Sequence, residues 1–256
     1  MKIVVALKQV PESGAPIRIT ADGKWIEDRD FQYTLNEPDA YALEQALLLK
    51  EQNGGEVVAL SVGPDRAQAV LRDALAKGAD RALHIACDDL HRRDALAVAR
   101  LLAAAIKPES PDLVLTGLQS DDMGHGQTGV LLAELLGLPH ASLILQVEAT
   151  STGLMVKREL EEGWFQTIEL PTPALLTIQS GGSKLRYATL MGIKRAKTKE
   201  LRSVPASDLG APSEPVAVLE SVSLVRKQKT TQFLTGTPAQ AAAALVEKLQ
   251  FEARVL

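Results

Sequence analysis

A chain of 256 residues that is 46% apolar can bury a substantial core, either as one large domain or as one domain with an appendage. Its formal charge of −4 leaves no basic footprint for nucleic acid, its 4% aromatic content argues against a base-stacking platform, and no apolar run is long enough to span a bilayer. One cysteine, Cys87, and four scattered histidines, His84, His91, His125 and His140, provide no internal disulfide, no four-thiolate cluster and no paired metal-ligand spacing, so no metal site is expected.

The chain opens on an apolar run, Lys2 to Val10, of the kind buried on both faces of a parallel sheet. With no signal or transit segment ahead of it, the expected location is cytoplasmic. Asn36 is expected to cap a helix through about Glu51, with Leu43, Leu47 and Lys50 on one face and Gly54-Gly55 ending it. Glu56 to Val62 reads as a strand, and Asp65 as the cap of a helix carrying Val70, Leu71, Ala74 and Leu75 that Gly78 closes. Arg81 to Ala86, a helix from about Asp94 to Ile106, and Asp112 to Thr116 continue the pattern. Such alternation means βαβ units and a doubly wound, mostly parallel α/β sheet.

After the strand at Asp112 comes the loop GLQSDDMGHGQTG, Gly117 to Gly129, and then an apolar helix opening at about Thr128. Small and polar residues between a strand end and a helix start present free N–H groups at the positive end of a helix dipole, which suits a phosphate. The plainer alternative is a glycine-rich connection. Gly124, Gly126 and Gly129 match the dinucleotide spacing, and Glu148 lies near the distance of a ribose-holding acid. Yet Gly117 to Met123 intervene between strand and glycines, and the first turn, Lys8 to Pro16, has no glycine pattern, so a true fingerprint is not expected. Asp121 and Asp122 have no His or Lys evidently placed to join them, which leaves them as N–H acceptors or ligand contacts rather than an acid–base pair. Ser61, Thr128 and Ser142 lack an identifiable base, and no catalytic residue is expected.

Past Gly137-Leu138-Pro139 the texture changes. Ser142 to Val147, Leu154 to Leu160, Phe165 to Leu170 and Ala174 to Ile178 read as antiparallel or edge strands, the middle pair joined through Glu161-Glu162-Gly163. Ser180-Gly181-Gly182-Ser183 reads as a flexible turn rather than a pyrophosphate loop. In Lys184 to Leu201 an apolar step, Leu190-Met191-Gly192-Ile193, meets Lys194, Arg195, Lys197 and Lys199, either a solvated helix face or a docking knob whose charges steer an acidic partner. Ser203 to Pro215 reads as a linker, followed by a strand, Val216 to Val225, and an Ala-rich helix, Pro238 to Leu249. The expected organisation is an α/β domain over 1–202, in which 184–200 is either such a face or such a knob, and a linker and arm over 203–256 too small for a core of its own.

Four stretches, VVALKQV, LSVGP with ALAKGADRALHI, the GLQSDDMGHGQTG loop, and VKRELEEGWFQTIELPTPALLT leading to RYATLMGIKRAK, resemble beta subunits of electron transfer flavoproteins over essentially the whole chain. The resemblance implies a Rossmann-like, adenine-nucleotide-binding sheet with additional antiparallel strands and a C-terminal arm around an alpha subunit that carries most of the FAD. It implies AMP bound in this chain in a structural role, electrons accepted from acyl-CoA or other flavin dehydrogenases, and delivery to a membrane quinone oxidoreductase. It implies no catalysis by this chain alone, no nucleic acid and no membrane insertion. Carried to matching positions, the pocket comprises Ala6, Asn36, Glu37, Pro38, Asp39, Val62, Gly117, Leu118, Gln119, Ser120, Asp121, Asp122, Met123, Gly124, His125, Gly126, Gln127 and Thr128, the last three meeting the phosphate. The partner-docking residues are Leu190 as anchor with Met191, Ile193, Lys194 and Arg195, and Met191-Gly192 replaces a common Pro-Asn. Alternatives from the same sequence are a bifurcating subunit with a second FAD in this pocket, a stand-alone nucleotide-hydrolysing or adenylating enzyme using Asp121-Asp122, or an oligomerisation module.

Overall fold

A computed structural model describes residues 1–212, 214–225 and 231–255; Ser213, residues 226–230 and Leu256, which belong to the expected linker and arm, lie outside the described residues. The opening apolar run divides in two. β1 (Lys2–Ala6) enters the main sheet, whereas β2 (Gln9–Pro11) leaves it to pair antiparallel with β3 (Tyr33–Leu35). The break falls at Lys8, whose N–H is taken by the Asp39 carboxylate at 2.7 Å and whose carbonyl accepts from the Asn36 N–H at 3.0 Å, so neither serves a ladder.

From there the alternation expected of βαβ units holds. α1 (Glu37–Asn53), β4 (Glu56–Gly63), α2 (Gln68–Lys77), β5 (Arg81–Ala86), α3 (Ala95–Ile106), β6 (Leu113–Gly117) and α4 (Thr128–Leu136) follow in turn. β7 (His140–Ala149), β8 (Leu154–Glu159) and β9 (Phe165–Leu170) then form an antiparallel meander, before β10 (Ala174–Ile178), α5 (Leu190–Ala196) and β11 (Leu201–Pro205). The nine-stranded sheet runs β11-β5-β4-β1-β6-β10-β7-β8-β9, parallel as far as β7.

Helices cover both faces. Leu43 and Leu47 of α1 with Leu71 and Leu75 of α2 pack on Ile3, Val5, Leu115 and Leu176, while Leu101, Leu102 and Ile106 of α3 with Leu132 of α4 pack on Val4, Leu60, Val114 and Leu175. Adjacent strand residues thus feed opposite cores, which explains why apolar residues dominate β1, β4 and β6 on both faces. At the N-terminal rim, Lys2 pairs with Glu109 at 2.7 Å and Arg81 with Glu56 at 2.7 Å and also with Glu109, bracing β1, β4, β5 and the turn after α3.

Several expectations need correction. β10 is neither antiparallel nor at an edge: it lies parallel between β6 and β7 with all five residues buried, and its continuous ALLTI run is the mark of a doubly covered strand. The linker expected from Ser203 begins inside β11, where the Ser203 hydroxyl donates to Nδ1 of buried His84 at 3.0 Å; His84 Nε2 in turn donates to the Gly63 carbonyl at 2.9 Å. No strand forms over the described residues 216–225, because Val216 and Ala217 give their N–H groups to Asp94 Oδ2 at 2.8 and 2.9 Å. Asp94 caps α3 as expected, accepting from Ala97 N–H at 2.8 Å, but Asp65 opens a short 3₁₀ turn ahead of α2 and caps nothing.

Residues 1–222 form one compact unit and 223–256 a second. In the second, α6 (Pro238–Glu247) opens on a reciprocal capping box between Thr237 and Gln240 and leaves Leu245, Val246 and Phe251 exposed. Among the described residues no helix is long and apolar enough to cross a membrane.

Candidate nucleotide site and docking helix

From β1 the chain proceeds to β4 and β5 on one side and then returns to β6 on the other, so the strand order reverses between β1 and β6. Sheets of this kind open a crevice outside the carboxyl ends of the strands at that point. Lys8, shortly after β1, and the loop 118–127 after β6 flank it. Gly117 is obligatory there, since a Cβ would lie 2.8 Å from the Asp39 backbone nitrogen and from Pro38 Cβ. Buried Asp39 accepts from Lys8 N–H through Oδ2 at 2.7 Å and from Gly117 N–H through Oδ1 at 2.8 Å, so one carboxylate ties two strand ends to α1. Burial pushes its pKa up to about 7, outweighing those bonds, Asn36 and the Lys8 charge.

Asn36 does not cap α1 with its side chain. Its Nδ2 donates to the Gln119 carbonyl and its Oδ1 accepts from Asp121 N–H, both at 2.9 Å, stapling the loop to the helix. The end of α1 is instead served by Asp121, whose Oδ2 accepts from Glu37 N–H at 3.2 Å. A lysine does join the aspartates, contrary to the sequence reading: Lys8 Nζ lies 2.6 Å from Asp122 Oδ1 and 3.1 Å from Ser120 Oγ. Desolvation would raise the Asp122 pKa, but the Lys8 charge and bonds from Lys8, Ser120 and Met123 N–H bring it below the usual value. The result is a standing ion pair.

The N-terminus of α4 differs. It has no side-chain cap, and its first N–H groups lack intrahelical acceptors. Beneath it, a Cβ on Gly129 would sit 2.6 Å from both Thr116 Oγ1 and Thr177 Cγ2. Glycine therefore lets the helix settle onto two threonines, the close helix–sheet packing that the third glycine of a dinucleotide fingerprint serves. Thr177 Oγ1 is buried without a partner. Gly124 and Gly126, at φ +64° and +63°, supply the left-handed turns that bring the loop back to the helix.

Hydrogen bonds gather Asn36, Glu37 and Asp39 with Gly117, Gln119 and Asp121, and Lys8 with Ser120 and Asp122, while Pro38 packs behind Gly117. Leu118 N–H returns to Ile178, Gly124 N–H to Ser120, and Gly126, Gln127 and Thr128 lead into α4. Met123 and His125 are exposed on the outer turn. Ala6 ends β1, and Val62 lies one strand farther, on β4. Sequence reasoning missed Lys8, Thr116 and Thr177; a cation directly after the first strand was the signal for Lys8, whereas the threonines are visible only through the register of β6 and β10, Thr116 opposite Thr177. The Ser180–Ser183 turn is packed rather than free, because a Cβ on Gly182 would strike the Leu145 carbonyl.

The expected recognition loop is helix α5, capped by Thr189, whose hydroxyl accepts from Gly192 N–H at 3.0 Å. Leu190 is 87% and Tyr187 90% exposed, with Met191, Ile193, Lys194 and Arg195 also exposed. Ahead of it, Arg186 donates to the buried Glu44 at 2.9 Å and to Glu51 at 2.6 Å, on α1. Gly192 also approaches α2 closely, where a Cβ would strike the Ala76 carbonyl.

Among known proteins, residues 24–209 match the family model described as the electron transfer flavoprotein domain. Proteins named electron transfer flavoprotein subunit beta are similar over nearly all of both chains: 40% identity in Methylophilus methylotrophus, covering 96% of this chain and 97% of the relative, and 35% in Bacillus subtilis, covering 100% of each. The human protein of that name is 33% identical, with 100% of this chain and 99% of the relative covered. With its doubly wound sheet and crevice, this chain belongs to the electron transfer flavoprotein family, on its beta-subunit side.

Proposed function

We propose that this chain pairs with an alpha subunit in a flavin-carrying heterodimer, holds AMP in the crevice between β1 and β6, and presents α5 to dehydrogenases. The alpha subunit houses most of the FAD, which supplies the electron chemistry. The heterodimer accepts electrons from acyl-CoA or other flavin dehydrogenases and passes them to a membrane quinone oxidoreductase. This chain adds scaffold, nucleotide and docking surface without catalysis of its own.

The observation that carries the reading is the contrast between two helix ends at one crevice. Asp121 fills that of α1, while α4 stands uncapped above Thr116 and the unpartnered Thr177 hydroxyl. An anion is therefore favoured at α4. Asp39, Asp121 and Asp122 all bond within the crevice wall, and Lys8, the lysine bonded there, is already paired with Asp122, so a monophosphate suits the crevice better than a polyphosphate. Gly126, Gln127 and Thr128 offer backbone N–H groups to that phosphate, and Asn36 to Asp39 hold the opposite wall.

Mass spectrometry of ligand released from the purified heterodimer tests this. One AMP with one FAD is expected. Two FAD molecules would indicate the bifurcating type, and turnover of ATP by this chain alone would replace the reading with a nucleotide-hydrolysing enzyme.

A further inference from the structure

We infer that Arg72 and Lys199 are positioning residues that set the orientation of the α5 knob before any partner arrives, an inference that rests on the docking role proposed for α5. Arg72, on α2, donates to the carbonyls of Ala196 at 2.8 Å and Lys199 at 3.1 Å, at the C-terminal end of α5. In the other direction, Lys199 Nζ donates to the carbonyls of Leu75 at 3.1 Å and of Ala79, at the C-terminal end of α2. Thus α2 places a cation at the C-terminal end of α5, the segment that follows α5 returns one to the C-terminal end of α2, and both satisfy carbonyls that have no intrahelical donor.

Two further contacts make the arrangement a mount. A Cβ on Gly192 would strike the Ala76 carbonyl, so the two helices approach at backbone distance. The entry to α5 is fixed on α1 by Arg186, bound to Glu44 and Glu51. Leu190, Met191 and Ile193 therefore project from a segment held on two different helices. A helix of seven residues has no stability of its own in water. Without the exchanged cations the C-terminal end of α5 would lose its hold on α2, and ordering it on docking would weaken the encounter complex.

The test uses the heterodimer with Arg72→Met, Lys199→Met, the double variant, the conservative Arg72→Lys, and Lys197→Met, which removes one exposed charge outside the exchange. Readouts are amide hydrogen exchange over residues 189–199, KM and kcat with a donor flavin dehydrogenase, and flavin reduction by a small chemical reductant. The double variant is expected to lose protection over α5 and to raise KM about tenfold, equivalent to about 1.4 kcal/mol, with kcat, reductant rate and nucleotide content unchanged. Arg72→Lys is expected to recover part of the KM. Unchanged protection, lost protection with an unchanged KM, or an equal KM rise in Lys197→Met would overturn the inference. Should the double variant fail to assemble, Lys199→Met alone is read by the same criteria. Leu190→Ala separates the two claims: if it leaves KM unchanged, the docking role falls and this inference with it, whereas if it raises KM and the double variant does not, the inference alone falls.

Discussion

Replacing Gly129 by alanine sets two opposed effects against each other at the centre of the proposed nucleotide site. Alanine in a helix gains about 1 kcal/mol over glycine. Against this, the new Cβ would lie 2.6 Å from Thr116 Oγ1 and from Thr177 Cγ2, about 0.8 Å inside the 3.4 Å at which ordinary contact begins. Both threonines are β-branched, buried and anchored on central strands, so neither swings aside easily and α4 has to lift. Overpacking of this kind costs about 1–3 kcal/mol, and two simultaneous overlaps place it in the upper half, for a net loss of about 1–2 kcal/mol. In a protein of this size that lowers Tm by roughly 2–8 °C. A lifted α4 also draws its first N–H groups away from the phosphate, so added AMP should stabilise the variant less than the wild type in thermal unfolding of the heterodimer. Thr177→Ala in the same background removes one overlap and should recover about half of the loss. A Gly129→Ala protein that is more stable by the propensity gain, with undiminished stabilisation by AMP, would refute the reasoning.

Asp39→Asn leaves one acceptor oxygen for two backbone donors, Lys8 and Gly117, and turns an amide N–H toward one of them; a loss of about 1–3 kcal/mol is expected by urea unfolding. Arg186→Leu strands the Glu44 carboxylate, 5% exposed, and should cost about 2–4 kcal/mol, most of it recovered in the Arg186→Leu/Glu44→Leu double variant. Leu190→Ala, at a side chain that is 87% exposed, should leave Tm within about 1 °C and affect only the kinetics with donor dehydrogenases.

The alternation of strands and helices is legible because apolar residues dominate the central strands and because Gly54, Gly78 and Gly137 close α1, α2 and α4 while Asp94 opens α3. What was not legible depended on pairing across distance. β10 follows three meander strands in sequence, and nothing local shows that it returns to the centre between β6 and β7. The Pro- and Ser-rich texture at Ser203 concealed a strand, because its hydrogen bonding is completed by His84 on β5. The resemblance groups loop residues 117–128 with the segment 36–39, and the structure brings the two segments together. Their mutual bonds were not legible: Asn36 looks like a cap in sequence, yet its amide serves a loop 83 residues away. Lys8 was passed over because the first turn lacks glycines, although its position at a strand end brings it to Asp122.

Two carboxylates at opposite rims of the sheet, Glu109 and Asp39, answer acid in opposite senses. At the N-terminal rim, bonds from Arg81 and then Lys2 hold Glu109 down at about 2, so the stability it lends is present above the ordinary carboxylate pKa and drains away as the medium becomes strongly acidic. At the C-terminal rim, Asp39 is raised to about 7, so its contribution is complete below an ordinary aspartate pKa near 3.8 and is lost as pH climbs through neutrality. Near pH 5 Glu109 is ionised while Asp39 is largely protonated, and both favour the native fold. Mild acidification from neutrality therefore firms the Asp39 tie between the two strand ends without cost to the Glu109 brace, and strong acid undoes both that brace and the Lys8–Asp122 pair.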